Sequence, residues 1–250
     1  MRLIATILLE KNYVVQTYGY KVKKVIGDPK ITIRHLDLWE VDEIIILQID
    51  QDFNYLMNNL KQIVEVCSTP LTVGGGIENL NQALELIKNG ADRICIQRPF
   101  FNNLNLVFDI SNNLGGQALT IKIDFDNLNK KFKLNNYDFL FFKNYFESCK
   151  LDLIRNGVFE FFFNDINADG IINYPCFDLV DYLELKEFSI IFGGGLKPNY
   201  VNDIWKKYSH LFEDLSLSFS NYFYQKELPN IEVIRYLKKI PNLKIRDLVK

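Results

Sequence analysis

Short, nearly unbroken apolar runs alternate along this chain with stretches of helical period. Ile44-Ile-Ile-Leu47 and Phe159-Glu-Phe-Phe-Phe163 have the pattern of strands buried on both faces of a parallel sheet. The pattern predicts strands near 2–9, 43–49, 70–73, 93–97, 118–124, 158–164, 189–192 and 214–219. Helices are predicted near 30–40, 53–67, 79–89, 102–113, 145–156, 176–186, 199–209 and 229–240. Eight strands, each followed by a helix, in 250 residues predict an α/β fold, a (β/α)8 TIM barrel forming one domain over 1–250. Residues 10–29 and 125–144 are too long for simple connections, and long loops after barrel strands usually serve a site at the C-terminal face.

The two halves of the chain overlay. Leu71-Thr-Val-Gly-Gly-Gly-Ile77 has its counterpart in Ser189-Ile-Ile-Phe-Gly-Gly-Gly-Leu196, a strand running into three glycines each time. The second predicted strand falls on the sixth, and both begin with Glu, at Glu43 and Glu160. The fourth, ending Gln97-Arg98, falls on the eighth, ending Phe219-Ser220, and the first falls on the fifth. The barrel is therefore expected to be a twofold repeat of a half-barrel. The repeat is broken at one place: the fifth strand ends on Asp124, and the matching position in the first is Leu8.

Composition narrows the function classes. The formal net charge of −2 gives no basic field suited to nucleic acid. No apolar run is long enough to span a membrane, and the chain opens on a strand-like run, Arg2 to Leu9, rather than a signal-peptide pattern. Cys67, Cys95, Cys149 and Cys176 form no CxxC pair or common zinc spacing, so reduced, mostly buried thiols, a cytoplasmic location and no metal or cofactor are expected. His35 and His210, each alone on a predicted helix, are read as structural or surface residues.

Candidate chemistry gathers at the strand ends. Gly74–Gly76 with Gln97 and Arg98 offer one phosphate-sized site, Arg98 supplying a planar cationic fork or else an ion pair. Asp169-Gly170, Gly193–Gly195 and Ser220 offer the second, the usual anion site of this fold; tight turns and a capping serine are the plainer reading. Within these, Gly75, Gly76, Gly170, Gly194 and Gly195 are the phosphate-binding glycines proposed. Asp124 is the best acid/base candidate, or else a carboxylate that caps a loop or binds a neighbouring lysine. Asp165, Asp50 and Gln48 are expected at or beside the same mouth. At the opposite ends of the strands, Arg2, Glu43, Arg93 and Glu160 are either a ring of alternating sign or ordinary solvated strand ends.

Leu71-Thr-Val-Gly-Gly-Gly-Ile77, Gly90-Ala-Asp-Arg93, Gly27-Asp-Pro29, Val41-Asp-Glu43 and Ala168-Asp-Gly170 together resemble the cyclase subunit of imidazole glycerol phosphate synthase. The resemblance covers essentially the whole chain, with a divergent patch at 125–157. It implies a glutaminase docked on the N-terminal face. Ammonia would pass a four-charge gate, here Arg2, Glu43, Arg93 and Glu160, toward a phosphorylated substrate at the other end. Asp92 matches an acidic residue near the partner interface. Of the family's two catalytic aspartates, one is kept as Asp124 and the other is Leu8. Gln48 stands for the aspartate ending the second strand, Gln16 for a substrate-holding lysine, and Gln97 and Arg98 for an asparagine and a threonine of one phosphate site. The sister family, the sugar-phosphate isomerase of the same pathway, needs both aspartates and no gate, and fits less well.

The departures gather at the catalytic mouth while the gate is kept. The chain is thus most similar to the branch associated with lipopolysaccharide biosynthesis, in which barrel and glutaminase supply ammonia to a separate aminosugar amidotransferase. The alternatives are a working cyclase of histidine biosynthesis, with Asp50 or, from further off, Glu10 replacing the lost carboxylate, and a non-catalytic barrel that binds a phosphorylated ligand.

Overall fold

A computed structural model describes residues 1–134, 137–170, 174–224 and 229–240; the remainder of the expected 1–250 domain lies outside the described residues. Eight parallel strands close into a barrel: β1 (Leu3–Glu10), β4 (Glu43–Gln48), β5 (Leu71–Gly74), β6 (Arg93–Ile96), β7 (Leu119–Asp126), β9 (Glu160–Asp165), β10 (Ser189–Gly193) and β11 (Asp214–Phe219). Closure is made by β11 against β1, in the register Leu3 to Leu217 and Ala5 to Phe219. All eight predicted strands are present.

Residues alternate between two cores, as the two-residue period of a strand requires. One set packs outward against the helices, among them Leu3, Ala5, Ile7 and Leu9 of β1. The other fills the lumen: Ile4, Ile45, Leu47, Cys95, Phe162 and Ile191, with Leu8 at its edge. The helices are α1 (Pro29–Leu38), α2 (Phe53–Ile63), α3 (Leu80–Lys88), the short α4 (Arg98–Asn102), α5 (Leu104–Leu114), α6 (Phe139–Arg155), α7 (Val201–Tyr208) and α8 (Pro229–Leu237). Asp28, Asp52, Asn79, Asn103 and Asp138 start α1, α2, α3, α5 and α6 by accepting backbone N–H bonds of the first turn.

Three helix expectations are corrected, and the two long connections gain short strands. The helix placed at 176–186 is instead a 3-10 turn, Asp178–Tyr182. Phe177, Leu179, Val180, Leu183 and Leu185 are all buried there, a spacing that no single helical face accommodates. Phe177 is fixed by stacking on Phe192 at 3.9 Å. His210 likewise sits on a 3-10 turn, Ser209–Leu211. The segment 10–29 contains a hairpin, β2 (Tyr13–Tyr18) and β3 (Val22–Gly27), which leaves the barrel by antiparallel pairing of β2 with the end of β1. The second long connection carries the short β8 (Lys131–Phe132) paired to β7, and α6 starts six residues before the expected 145, at Phe139.

The half-barrel repeat is visible in backbone packing. Gly75 (φ 111°) and Gly194 (φ 91°) lie against the carbonyls of Gln48 and Asp165, where an added Cβ would come within 2.2 and 2.3 Å. Gly76 and Gly195 lie in the same way against Gln51 and Ala168. Only glycine accepts both the positive φ and the approach.

Candidate functional site

At the N-terminal end of the barrel four charged side chains close into a ring. Arg2 donates to Glu43 Oε2 at 2.6 Å and to Glu160 Oε2. Arg93 lies 2.6 Å from Glu160 Oε1 and 3.6 Å from Glu43 Oε2. Thr72 and Thr120 hydroxyls donate to Glu43 and Glu160 at 2.5 and 2.7 Å, and Gln117 O accepts from Arg93 Nε at 2.8 Å. Both glutamates are buried, so the four residues are not solvated strand ends. Burial alone would lower the Arg2 pKa, but the two carboxylates outweigh it and hold the guanidinium above its ordinary value. Asp92, exposed beside this ring, accepts the backbone N–H of Leu71 at 2.8 Å, as Asp42 accepts that of Leu3 at 2.7 Å.

At the C-terminal end a cavity of about 640 Å³ opens between the strand ends and descends to Thr6, Cys95, Phe162 and Ser218. Asp124 sits buried in its wall and is not a free carboxylate. Its Oδ1 accepts from Lys122 Nζ, from Tyr20 OH at 2.7 Å and from Asn164 Nδ2 at 2.8 Å. Burial opposes its charge, yet the Lys122 ammonium and these three donors prevail and hold its pKa below the ordinary carboxylate value. The neighbouring lysine that one reading of Asp124 expected is thus present, as Lys122. Lys122, Tyr20 and Asn164 were missed by sequence reasoning. The signal for Lys122 and Asn164 was strand period: Lys122 shares the face of Thr120 and Asp124, and Asn164 that of Glu160 and Phe162. Tyr20 comes from the tip of the β2–β3 hairpin and carried no local signal. Leu8 lines the same cavity, so the position without a carboxylate does face the mouth.

Asp169 also opens on the cavity, its Oδ2 accepting from Thr17 Oγ1 at 2.7 Å. Burial pushes its pKa up to about 6, against the Thr17 bond and nearby lysines. Lys133, from the long loop after β7, places its ammonium 3.6 Å from the Tyr20 ring centroid; burial lowers its pKa.

Gly75, Gly76, Gly170, Gly194, Gly195, Arg98, Gln97 and Ser220 all line the cavity. Arg98 is exposed, and its Nη2 donates to Gln51 Oε1 at 2.5 Å. Other expected residues turn away. The Gln48 side chain donates to Asp50 Oδ1 at 2.7 Å and to Lys11 O at 3.1 Å, although the residue itself lines the mouth. Asp50 accepts the Lys11 N–H at 2.7 Å, and Glu10 pairs with Lys23; neither carboxylate lines the cavity. Asp165 is buried, accepting the N–H groups of Asn167 and Cys176 at 2.9 and 3.0 Å. Gln16 is buried outside the cavity. Cys95 and Cys149 are buried while Cys67 and Cys176 are only half-buried; all four are free thiols. Among the described residues no cluster suits a metal ion, and no helix is long and apolar enough to cross a membrane.

A closed parallel barrel with a half-barrel repeat, a buried charge ring at one end and a glycine-turned cavity at the other defines a (β/α)8 barrel with a distinct polar arrangement at each end. The chain belongs to the histidine biosynthesis protein family, whose profile matches residues 2–210. Its relatives include the imidazole glycerol phosphate synthase subunit HisF of Dictyoglomus turgidum, 27% identical over 90% of this chain and 93% of that protein. A Pseudomonas aeruginosa protein, provisionally named as such a subunit, is 31% identical over 68% of this chain and 70% of its own length. A Vibrio vulnificus protein, provisionally named in the same way, is 31% identical over 55% of this chain, a match that spans about half of that protein (52%).

Proposed function

We propose that this barrel is the ammonia-receiving subunit of a glutamine-dependent synthase. A glutaminase docks on the N-terminal face around Asp92, and ammonia enters past Arg2, Glu43, Arg93 and Glu160. It leaves at the mouth toward a phosphorylated acceptor held by Gly170, Gly194, Gly195 and Ser220 at one end and by Gly75, Gly76 and Arg98 at the other. The carrying observation is the contrast between the two ends. The ring keeps all four ion-paired charges, whereas the mouth offers Leu8 and an Asp124 already bound by Lys122. Buried ion pairs commonly stabilise a fold no better than apolar residues of the same volume, so stability is a poor reason for keeping four of them in a barrel floor. The mouth, lacking two free carboxylates, suits delivery of ammonia better than the cyclisation chemistry of a histidine enzyme. The finer form of this reading is amidation of a surface-polysaccharide sugar, with an aminosugar amidotransferase as third partner.

One observation favours a second reading, a working cyclase. Asp169 shares the cavity with Asp124, and its pKa near 6 suits proton transfer. Ammonia-dependent turnover of the histidine-pathway ribonucleotide by the folded protein, at saturating ammonium and beside a verified cyclase, separates the two. Turnover within about tenfold of the control, about 1.4 kcal/mol in barrier, supports the cyclase. Absence of turnover, together with stimulation of a bound glutaminase that Arg2 or Glu160 variants abolish, supports delivery.

A further inference from the structure

The Tyr20 hydroxyl is an unusual occupant of the barrel mouth. It donates to Asp124 Oδ1 at 2.7 Å and accepts from Asn164 Nδ2 at 2.5 Å, with Lys122 Nζ at 3.4 Å. Three side chains from two adjacent strands thus converge on one oxygen, supplying an acceptor and two donors. That is the full complement of a hydroxyl group. The strands fix the three without Tyr20, because Asn164 and Lys122 both also bond Asp124 directly. Tyr20 reaches them only from the hairpin tip. There Gly19 and Tyr20 both have positive φ, 55° and 61°, and Lys21 N bonds back to Tyr18 O at 3.1 Å. Consecutive positive-φ positions in a tight turn, here inside the three-residue connection between Tyr18 and Val22, favour Asn or Gly, and a tyrosine in the left-handed region is strained. Strained residues that persist at a site point to a function carried by the side chain. The surrounding cavity adds cations: Lys133, Lys23, Lys197 and Arg98 all line it.

We propose that the Tyr20 phenol is an internal competitor at the mouth: it occupies the acceptor and two donors offered by Asp124, Asn164 and Lys122 until a hydroxyl of the phosphorylated ligand displaces it. The proposal deepens the acceptor part of the reading above and rests on it only for the phosphate. The sugar hydroxyl takes over the bond to Asp124 and the two donors, while its phosphate lies among the rim cations and glycine turns. Tyr20 is then a competitor for the site. Asp124 serves as a hydroxyl acceptor, consistent with a carboxylate that stays charged.

The test is calorimetric titration of the isolated barrel with ribose 5-phosphate and with butyl phosphate, which carries the phosphate but no sugar hydroxyl. Tyr20→Phe removes the competing hydroxyl and keeps the ring. It is expected to bind ribose 5-phosphate about tenfold more tightly than the wild type, with butyl phosphate changed less than about twofold. Asn164→Ala, checked for folding by its melting transition, removes one donor from the site and is expected to abolish the preference for ribose 5-phosphate over butyl phosphate. In [13Cζ]tyrosine-labelled protein, ribose 5-phosphate should shift the Tyr20 resonance and butyl phosphate should not. Equal or weaker ribose 5-phosphate binding by Tyr20→Phe overturns the proposal, as does absence of binding by both proteins up to about 10 mM. No glutaminase is present in the assay. A barrel that passes it but recruits no glutaminase keeps the hydroxyl site and loses the ammonia-delivery reading; the converse result loses only the hydroxyl site.

Discussion

Replacing Glu160 by Gln tests whether the barrel floor is an electrostatic unit. The substitution preserves volume, so cavity formation is not in play. Glu160 accepts from Arg2, from Arg93 at 2.6 Å and from Thr120 at 2.7 Å. Glutamine keeps one acceptor oxygen and turns a donor toward a guanidinium, which has only donors to offer. At least one bond to a charged partner is lost, at about 1.5–3 kcal/mol. The ring is left with two cations and one anion, the situation in which breaking a buried pair costs up to about 3–5 kcal/mol. The guanidiniums soften that penalty because their side chains are 29% and 16% exposed and can draw on water. The net expectation is about 2–3 kcal/mol, or a fall in melting temperature of about 5–10 °C for a chain of this size. Glu43→Gln should cost less, because its second guanidinium, Arg93, lies 3.6 Å away rather than 2.6 Å. Circular-dichroism melts of the two variants beside the wild type decide it. A Glu160→Gln protein melting within about 1 °C of wild type, or a larger loss for Glu43→Gln, would refute the paired-ring account.

Three further outcomes follow from the mouth and its turns. Asp169 has its folded pKa raised from 3.8 to about 6, so its contribution to stability is present at low pH and is lost as pH rises through about 6. The shift is worth about 3 kcal/mol, so Asp169→Asn should be more stable than wild type by about 2–3 kcal/mol at pH 7 and nearly equal to it at pH 4, read by urea denaturation at both. Leu8→Asp alone should leave ammonia-dependent cyclisation at background, because Lys122 still holds Asp124; Leu8→Asp with Lys122→Ala should raise it by at least about tenfold in a spectrophotometric turnover assay. Gly194→Ala puts a Cβ 2.3 Å from the Asp165 carbonyl at φ 91°, and should lower stability by about 2 kcal/mol or more in thermal melts.

Much of the frame was legible because it is written in local pattern. Eight apolar runs mark eight barrel strands, and the glycine triplets mark the two turns that pack on Gln48 and Asp165. The charge ring was legible only as four strand-opening residues. Its pairing joins Arg2 to Glu160, 158 positions apart, and depends on closure of β11 against β1. The hairpin was unreadable for a physical reason: its turn uses Gly19-Tyr20 instead of a favourable turn pair, and its tip is held by tertiary bonds. The segment at 176–186 misled because an apolar-rich stretch of that length suits a helix in isolation. In the barrel it is set by the Phe177–Phe192 stack. Strand period could have paired Lys122 with Asp124, since both alternate with the outward Ile121 and Ile123; the carboxylate drew attention and the lysine two positions before it did not.

The two ends differ in how their polar groups are held, and that difference bears on function. The floor is bonded strand to strand, so its geometry is as rigid as the barrel. At the mouth, one hairpin adds a contact to each of two carboxylates: Thr17 donates to Asp169, and Tyr20 joins Lys122 and Asn164 on Asp124. Gly19 N bonds Asp169 O at 2.8 Å, and Asn221 Nδ2 bonds Thr17 O at 2.8 Å, so the hairpin is fastened by a handful of polar contacts to the second half of the barrel. A ligand that displaces Tyr20 therefore acts on the same element that holds Asp169. Binding that moves the hairpin is thus felt at both carboxylates through one strained turn, while the floor, bonded strand to strand, stays fixed.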